Sequence, residues 1–496
     1  MKIVFVCSVD LGISYLGVEY LSSFLKERGY DVDLVVDGQH DHSPEINSTE
    51  RDNLDKICSL NPDLIGFSIV TAHYQWALKM AKLIKDRIAS IPIIFGGPHP
   101  TAIPQEVIKN QCVDMVCVGE GEYALTELMA SLKNGTSIQG VKNIWAREGE
   151  NIICNNLHPL IQNLDELPFP DKDMFLDKLP GGSLKNYVIM SSRGCAFACS
   201  FCSNNYLRRL NKGSGKFLRS RSVGNVIEEL KIAKKKYKLE RVSFADDMFT
   251  HNARWIEEFL PKYKDTIGLP FNCLSHVKFM DDGKARLLKE AGCFLVMFGI
   301  QSGSEFLRKK ILNRNETNDE YRQAAKSCHK ANLNYSLDHI FNLPFDNESY
   351  LMESLLLYNE IRPSYINTYT LFLLPNTDII KSAKETGMVG EENMDLINSG
   401  KYAWGINPSS EKGCFYRKFH MLFTLLPLLP RSWVKWVVEK NALSLFEKIP
   451  FKLQPLFKMI LYIKADSFYV VKLSFKWTLR GFFKNNYYVR NIFKKL

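Results

Sequence analysis

The 496-residue chain lacks any run of eighteen apolar residues, so no transmembrane helix is expected. No secretory leader is expected either: the opening MKIVFVCSVD has one lysine and only a short apolar stretch, and reads as a buried first strand. Twelve cysteines in a chain this long do not make a disulfide framework, so reduced thiols and a cytoplasmic setting are expected. There is no internal repeat and no low-complexity segment. Acidic residues become scarce at one end. Residues 401–496 hold 18 Lys and Arg against 4 Asp and Glu, a net +14, whereas the first 400 residues carry −4.

What is present is a globular composition, 46% hydrophobic and 24% charged, long enough for two or three domains. Residues 1–137 alternate β-branched runs (KIVFVC, DVDLVVD, DLIGFSIV, IPIIFGG, DMVCVGEG) with amphipathic stretches such as VEYLSSFLKERG and WALKMAKLIKDRIA. That pattern predicts a doubly wound, flavodoxin-like α/β domain, in which ligands sit at the carboxyl ends of the strands. Those ends carry Ser8-Val9-Asp10, Ser68, Gly96-Gly97-Pro98-His99 and Gly119-Glu120-Gly121-Glu122. Such turns let a backbone approach a bulky ligand.

Residues 138–185 predict a hairpin turning at Glu148-Gly149, then the proline-punctuated linker LDELPFPDKD. From 186 to 386 the alternation resumes with YVIMSS, RVSFAD, FNCLSH, FLVMFGI, YSLDHIF and YINTYTLF. Six units fit a partial (β/α)6 barrel better than a full barrel of about 250 residues. Residues 387–496 read as a basic, aromatic-rich helical cap broken by prolines.

The chemistry centres on SSRGCAFACSFCSNN, where Cys195, Cys199 and Cys202 are separated by three and two residues. Thiolates this close are metal ligands more often than core packing. Structural zinc wants a fourth ligand, yet the next cysteine is Cys273 and no histidine lies near the segment. An iron–sulfur cluster on three protein thiolates is the alternative, with one iron left open for a ligand.

The segment resembles the signature of the radical S-adenosylmethionine (SAM) enzymes, Cys-x3-Cys-x2-Cys after the first barrel strand with an aromatic residue before the third cysteine. Cys195, Cys199, Phe201 and Cys202 match it. The resemblance implies a [4Fe–4S] cluster whose open iron chelates SAM and whose electron cleaves the sulfonium to a 5′-deoxyadenosyl radical. It also implies an external electron donor of flavodoxin or ferredoxin type. By the same resemblance Asp246 and Asp247 follow the second strand facing SAM, Gln301 and Ser302 lie near the ribose, and Arg314 meets the methionine carboxylate. Ile340 belongs to the segment LDHIFNLPFDNES near adenine, where Asn342 replaces the family's glycine and leaves that contact open.

The front domain resembles that of the cobalamin-binding class of the same superfamily, in GGPHPTAIPQEV, VDMVCVGEGEYALTELM and LDELPFPD. Ser68, Gly96, Gly97, Gly119 and Glu120 are then implied to line the corrin and its nucleotide tail. One departure is informative. Many cobalamin domains carry Asp-x-His-x-x-Gly, but here Gly12 stands where a His after Asp10 would be. His73 and His99 read as polar loop residues, so the lower cobalt face is implied to lack a protein imidazole.

The implied reaction is methylation of an unactivated carbon in a small-molecule or lipid-like substrate, one SAM methylating cobalamin and a second generating the radical. Radical cyclisation or rearrangement is the rival, and a non-catalytic cobalamin or iron–sulfur sensor is the reading from outside enzymology. A methylthiotransferase would need a second cluster, and Cys7, Cys58, Cys112 and Cys117 are not suitably placed for one. No catalytic acid or base is evident; Asp247, Tyr206 and Asp338 are placed at the barrel mouth by position alone. For the basic tail, an inward-packed aromatic cap ranks first, peripheral contact with the inner membrane face second and nucleic acid last.

Overall fold

The computed structural model describes residues 1–8, 15–37, 48–178, 183–401, 411–440, 442–447 and 453–464. Asp10, Gly12 and the tail from 465 onward lie outside the described residues. By contacts the chain divides into two compact units, 1–239 with 373–403, and 240–372 with 404–496.

In the first unit the five expected strands form: β1 (Lys2–Ser8), β2 (Asp31–Asp37), β3 (Leu64–Ser68), β4 (Ile93–Gly96) and β5 (Met115–Cys117). They are parallel, in the order β2-β1-β3-β4-β5, which is the flavodoxin-like winding. Strand composition explains why. In β1, Val4 and Val6 join the core containing Trp76 and Met80 of the helix Tyr74–Arg87. Ile3, Phe5 and Cys7 join the opposite core, with Leu25 of the helix Leu16–Glu27 and Leu128 of Glu122–Asn134. A parallel sheet covered on both faces needs such continuously apolar strands.

The predicted hairpin does more than connect. β6 (Ile144–Glu148) pairs antiparallel with β5, and β7 (Asn151–Cys154) with β6, so the sheet grows to seven strands. The pairing covers the β5 edge, which would otherwise expose unpaired backbone groups. The unit also holds β8 (Asn186–Ile189) and a short antiparallel ribbon, β9 (Ser192–Arg193) with β10 (Arg219–Ser220).

The second unit contains β11 (Arg241–Phe244), β12 (Phe271–Ser275), β13 (Cys293–Gln301), β14 (Tyr335–Phe341) and β15 (Tyr365–Thr370). Each pairs in parallel with the next. With β8, all six strands expected of the partial barrel are present, and the chain is an α/β protein. Alternation sorts the faces of β14. His339 packs on Tyr358 of the helix Glu348–Ile361 and on Phe423 of Glu411–Leu425. Asp338, on the other face, accepts a hydrogen bond from Asn367 Nδ2 at 2.9 Å.

Among the described residues of this unit, four α-helices follow: Glu411–Leu425, Arg431–Glu439, Ser444–Glu447 and Gln454–Lys464. Pro427 and Pro430 fall between the first two. Arg362 donates to the carbonyls of Leu426 (2.5 Å) and Leu429 (2.8 Å), satisfying acceptors that the helix end leaves open. Among the described residues no helix is long and apolar enough to cross a membrane.

Candidate functional site

The parallel sheet of the first unit borders a cavity of about 290 Å3. All five residues assigned from sequence to cobalamin line it: Ser68, Gly96, Gly97, Gly119 and Glu120. Two glycines are sterically required. Gly97 has φ +97°, and a Cβ there would stand 2.7 Å from the Ile69 nitrogen. Gly66, in mid-strand, would push a Cβ to 2.9 Å from the Phe5 ring, itself a wall of the cavity. The other walls are mostly apolar. Burial pushes the Cys117 thiol up to about 12, which makes it a neutral lining group. His73 and His99 do not line the cavity. His99 is packed against Tyr74 and shares a hydrogen bond with Thr71 Oγ1 at 3.0 Å, and burial holds its ring down at about 4.

The turn after β5 is braced from several sides. Gly119 N donates to Thr101 Oγ1 at 3.1 Å, and Asn143 Nδ2 donates to the Glu120 carbonyl at 2.8 Å. The Glu120 carboxylate meets Arg193 at 3.1 Å and Arg219 at 2.9 Å, and accepts from Ile161 N at 3.0 Å. Arg193 also reaches Glu122 at 2.6 Å. Burial opposes ionisation of Glu120, but the two guanidinium groups outweigh it and hold the carboxyl below its usual range. Burial likewise opposes the Arg193 charge, and Glu122 and Glu120 more than offset that.

Directly after Arg193 comes the three-cysteine loop. Gly194 has φ +89°, and a Cβ there would fall 2.3 Å from the Phe217 carbonyl oxygen, so only glycine fits between the ribbon strands. Cys195, Cys199 and Cys202 are all partly exposed. The Phe197 amide donates to Cys195 Sγ at 3.5 Å, a contact that favours a thiolate. Cys202 N closes a turn on the Cys199 carbonyl at 3.1 Å, and Cys202 begins the helix Ser203–Leu210. Among the described residues no three His, Cys, Asp or Glu side chains converge as a single ion would require. A cubane needs no such convergence, because each thiolate binds a different iron. Phe201 is half-buried beside Cys202. Tyr206, one turn on, donates its hydroxyl to the Thr101 carbonyl at 2.7 Å.

The residues assigned to SAM other than Phe201 lie in the second unit. Asp246 is buried and Asp247 exposed, so the pair is split by environment. Gln301 ends β13 with φ +64°, where the pairing with β14 shifts register between Gly299 and Gln301. A non-glycine residue in that conformation, beside a bulge, is uncommon. Ser302 is buried, and its carbonyl accepts from Arg308 at 2.6 Å. Arg314 donates to the Gly299 carbonyl at 2.7 Å and pairs with Glu316 at 2.6 Å. Burial opposes the Glu316 charge, yet the His276 hydrogen bond and Arg314 hold its carboxyl down at about 2. Arg314 is therefore a brace on the Gly299–Gln301 turn. Ile340 is half-buried on the same face of β14 as Asp338.

Asn342, the departure from the family pattern, has φ +61°, the left-handed conformation a glycine would take. Asparagine is among the few other residues that enter it readily. Its Oδ1 is buried and has no hydrogen-bond partner.

Residues 3–129 match the model of the B12 binding domain, and residues 189–358 that of the radical SAM superfamily. The chain thus carries a B12 binding domain followed by a radical SAM domain. It is 33% identical over 303 residues to an uncharacterized methyltransferase of Pyrococcus horikoshii, covering 60% of this chain and 63% of that one. It is 24% identical to cytidylyl-2-hydroxyethylphosphonate methyltransferase of Streptomyces wedmorensis (60% and 63% covered). A third relative, at 23%, is the anaerobic magnesium-protoporphyrin IX monomethyl ester cyclase of Rubrivivax gelatinosus (73% and 65%). The chain thus spans a little under two thirds of the length of these curated relatives.

Among solved structures, the cobalamin-dependent radical SAM enzyme OxsB, with aqua-cobalamin and SAM bound, superposes with a TM-score of 0.68 at 17% identity. That match covers 94% of this chain and 75% of OxsB. The radical SAM methyltransferase TsrM of Kitasatospora setae, with tryptophan and a SAM analogue bound, gives 0.62 at 15% (77% and 76%). At these identities the likeness is one of fold.

Several residues of this chain escaped sequence reasoning: Gly66, Arg193 and Arg219 in the first unit, Arg308 and Glu316 in the second. Only Gly66 carried a usable signal, as a glycine inside an otherwise β-branched strand. The arginines and Glu316 act through partners that local spacing does not reveal.

Proposed function

We propose that the protein is a cobalamin-dependent radical SAM methyltransferase that acts on an unactivated carbon of a small-molecule or lipid-like substrate. In this reading it works in the cytoplasm, takes electrons from a flavodoxin- or ferredoxin-type donor, and touches the inner membrane face through its C-terminal region. The observation that carries it is the convergence of Ser68, Gly96, Gly97, Gly119 and Glu120 on one cavity, in a chain whose ribbon then leads into Cys195, Cys199 and Cys202.

The bound cluster, SAM and cobalamin would supply the one-electron chemistry and the methyl group. The chain's own residues position them. The three thiols would hold the cluster, with the Phe197 amide favouring the Cys195 thiolate. Ser68, Gly96, Gly97, Gly119 and Glu120, on the wall of the cavity of about 290 Å3, would hold cobalamin. In the second unit Asp246, Asp247, Gln301, Ser302 and Ile340 would contact SAM, with Arg314 keeping the Gln301 turn in shape. The buried Asn342 Oδ1 would accept the adenine amino group. Asp338 and Asn367, hydrogen-bonded on the open face of the strands, would orient a polar group of the substrate.

The test is anaerobic reconstitution with iron, sulfide and cobalamin, followed by reduction in the presence of SAM. A methyltransferase releases both 5′-deoxyadenosine and S-adenosylhomocysteine, and extracts of cells gain a product one methylene unit heavier. Changing Cys195, Cys199 or Cys202 to Ala should abolish both products. The relation to magnesium-protoporphyrin cyclases supports a second reading, radical cyclisation, which would yield 5′-deoxyadenosine without S-adenosylhomocysteine. Intact SAM after reduction of a protein carrying its cluster would point to a sensor instead.

A further inference from the structure

The C-terminal helices use their aromatic residues in two opposite ways. In Glu411–Leu425 the large side chains face inward: Tyr416, Phe419 and Phe423 are buried, and Phe423 packs on Phe341 and Tyr358. This helix packs its aromatics inward, as the sequence reading of a cap would have it. The next helix, Arg431–Glu439, departs from it. Val434 and Val437 turn inward with no exposed surface, whereas Trp433 and Trp436 remain 37% and 42% exposed. The two indoles lie three residues apart on one helical face and stack at 6.2 Å. Exposed Arg431, Lys435 and Lys440 surround them in sequence.

The pattern continues. Leu445 is exposed on the short helix Ser444–Glu447, which touches the previous one through Trp433 and Phe446 at 5.9 Å. Leu453 precedes the helix Gln454–Lys464, whose Leu456 and Ile460, one turn apart, are exposed together. With Leu428, seven of the sixteen large apolar side chains exposed among the described residues fall between 428 and 460. Chance would place about one there, so the concentration needs a cause.

Charge identifies the partner. The same end of the chain carries the whole positive excess, +14 over residues 401–496, on a remainder that is −4. A protein groove would match the apolar side chains but give no reason for that excess. Nucleic acid would match the charge and stack on indoles, but bases gain little from exposed Leu and Ile. A lipid surface of negative charge answers both, because indoles settle at the headgroup level, aliphatic side chains enter the acyl boundary and lysines meet the phosphates.

We propose that the helices Arg431–Glu439 and Gln454–Lys464 form a docking surface for anionic lipid bilayers, anchored by Trp433 and Trp436. The proposal rests on the reading of peripheral membrane contact given above, and it specifies the surface and the lipid class. It also places the substrate among molecules that dissolve in, or collect at, a bilayer.

The experiment is co-sedimentation of the full-length, cofactor-loaded protein with vesicles. Vesicles containing phosphatidylglycerol should carry it down, pure phosphatidylcholine should not, and raising the salt should release it. Trp433→Ala/Trp436→Ala should weaken binding about tenfold. Lys435→Glu, which removes one positive and adds one negative charge, should weaken it roughly thirtyfold. Both changes are at exposed positions, so cobalamin and cluster absorbance should stay as in the parent. Brominated lipid should quench parent fluorescence and have little effect on the double variant. If both variants bind anionic vesicles as tightly as the parent, this surface is wrong although membrane contact stands. If the parent ignores anionic vesicles at low salt, both ideas fall, and a preference for single-stranded oligonucleotide over vesicles also overturns the proposal.

Discussion

Arg193 donates to Glu120 at 3.1 Å, and this bond joins the strand that leads into Cys195 to the turn that lines the cavity. Arg219 stands opposite Arg193 on the β9–β10 ribbon. Two like charges in that relation repel, and the Glu120 carboxylate between them removes the conflict. A first prediction follows from the balance. Glu120→Gln leaves Arg193 paired with Glu122 alone and Arg219 bonded only to the Ile161 and Phe217 carbonyls, at an expected cost of about 3 kcal/mol. Urea denaturation checks the stability, and titration with hydroxocobalamin before the cluster is built checks the cavity. Weaker cobalamin binding is expected, together with a poorer yield of cluster on reconstitution. Unchanged values for both would mean that the clamp is ornamental.

Gly97 offers a sharper steric test. Its φ of +97° suits glycine alone, and an added methyl would press on the Ile69 backbone nitrogen and oxygen at 2.7 and 2.9 Å. Backbone atoms there cannot swing aside as a side-chain tip could. Gly97→Ala should destabilise the first unit by roughly 2–3 kcal/mol and weaken cobalamin binding by more than about tenfold. Gly29→Ala is the control for positive φ without a cavity, since φ is +79° there and nothing lies within 4 Å of the added carbon. It should cost about 1 kcal/mol and leave cobalamin binding alone.

The departure at Asn342 separates backbone from side-chain effects. Glycine accepts φ +61° freely, so Asn342→Gly should fold as well as the parent, whereas Asn342→Ala should lose about 1 kcal/mol. Both remove the buried Oδ1. Equilibrium dialysis of SAM against the reconstituted protein should therefore show weaker binding in both variants. Parental affinity in Asn342→Gly would assign the residue a conformational role only.

These cases show what the sequence could and could not reveal. The parallel strands were legible because burial on both faces writes itself into runs such as KIVFVC, and the three thiols because their spacing is local. The glycine turns, which line the cavity, stood out because ligands in a doubly wound sheet sit at strand ends. Glu120, implied to line the corrin, lies on the cavity wall, but its bond to Arg193 spans 73 residues and has no periodic trace. Arg314 shows the same limit, because nothing in LNRNET says that it bonds to Glu316 and the Gly299 carbonyl. The hairpin after β5 was visible, yet its docking on the sheet edge depends on the third dimension. For Trp433 and Trp436, an aromatic-rich segment fits inward and outward packing alike, and only the positions of Val434 and Val437 decide between them.

The last prediction concerns acid. His420, on the helix Glu411–Leu425, shares a hydrogen bond with Thr368 of β15 at 2.9 Å and packs on Phe341 of β14 at 4.3 Å. Burial pushes its imidazole down to about 4, and the Lys458 charge acts in the same direction. An unfolded histidine titrates near 6.5. Below that value the unfolded chain takes up a proton that the folded one refuses, so the unfolded state binds more protons. Stability contributed by neutral His420 is therefore complete above about pH 6.5 and drains away as pH falls toward 4. The loss should reach about 3 kcal/mol. Buried His339, whose imidazole is held well below its usual value by burial, adds to the same slope. In His420→Gln the side chain can still bond to Thr368 but cannot take the proton. Urea midpoints measured at pH 7 and pH 4.5 should fall together in the parent and much less in the variant, and parallel curves would show that this buried imidazole does not set the acid limit.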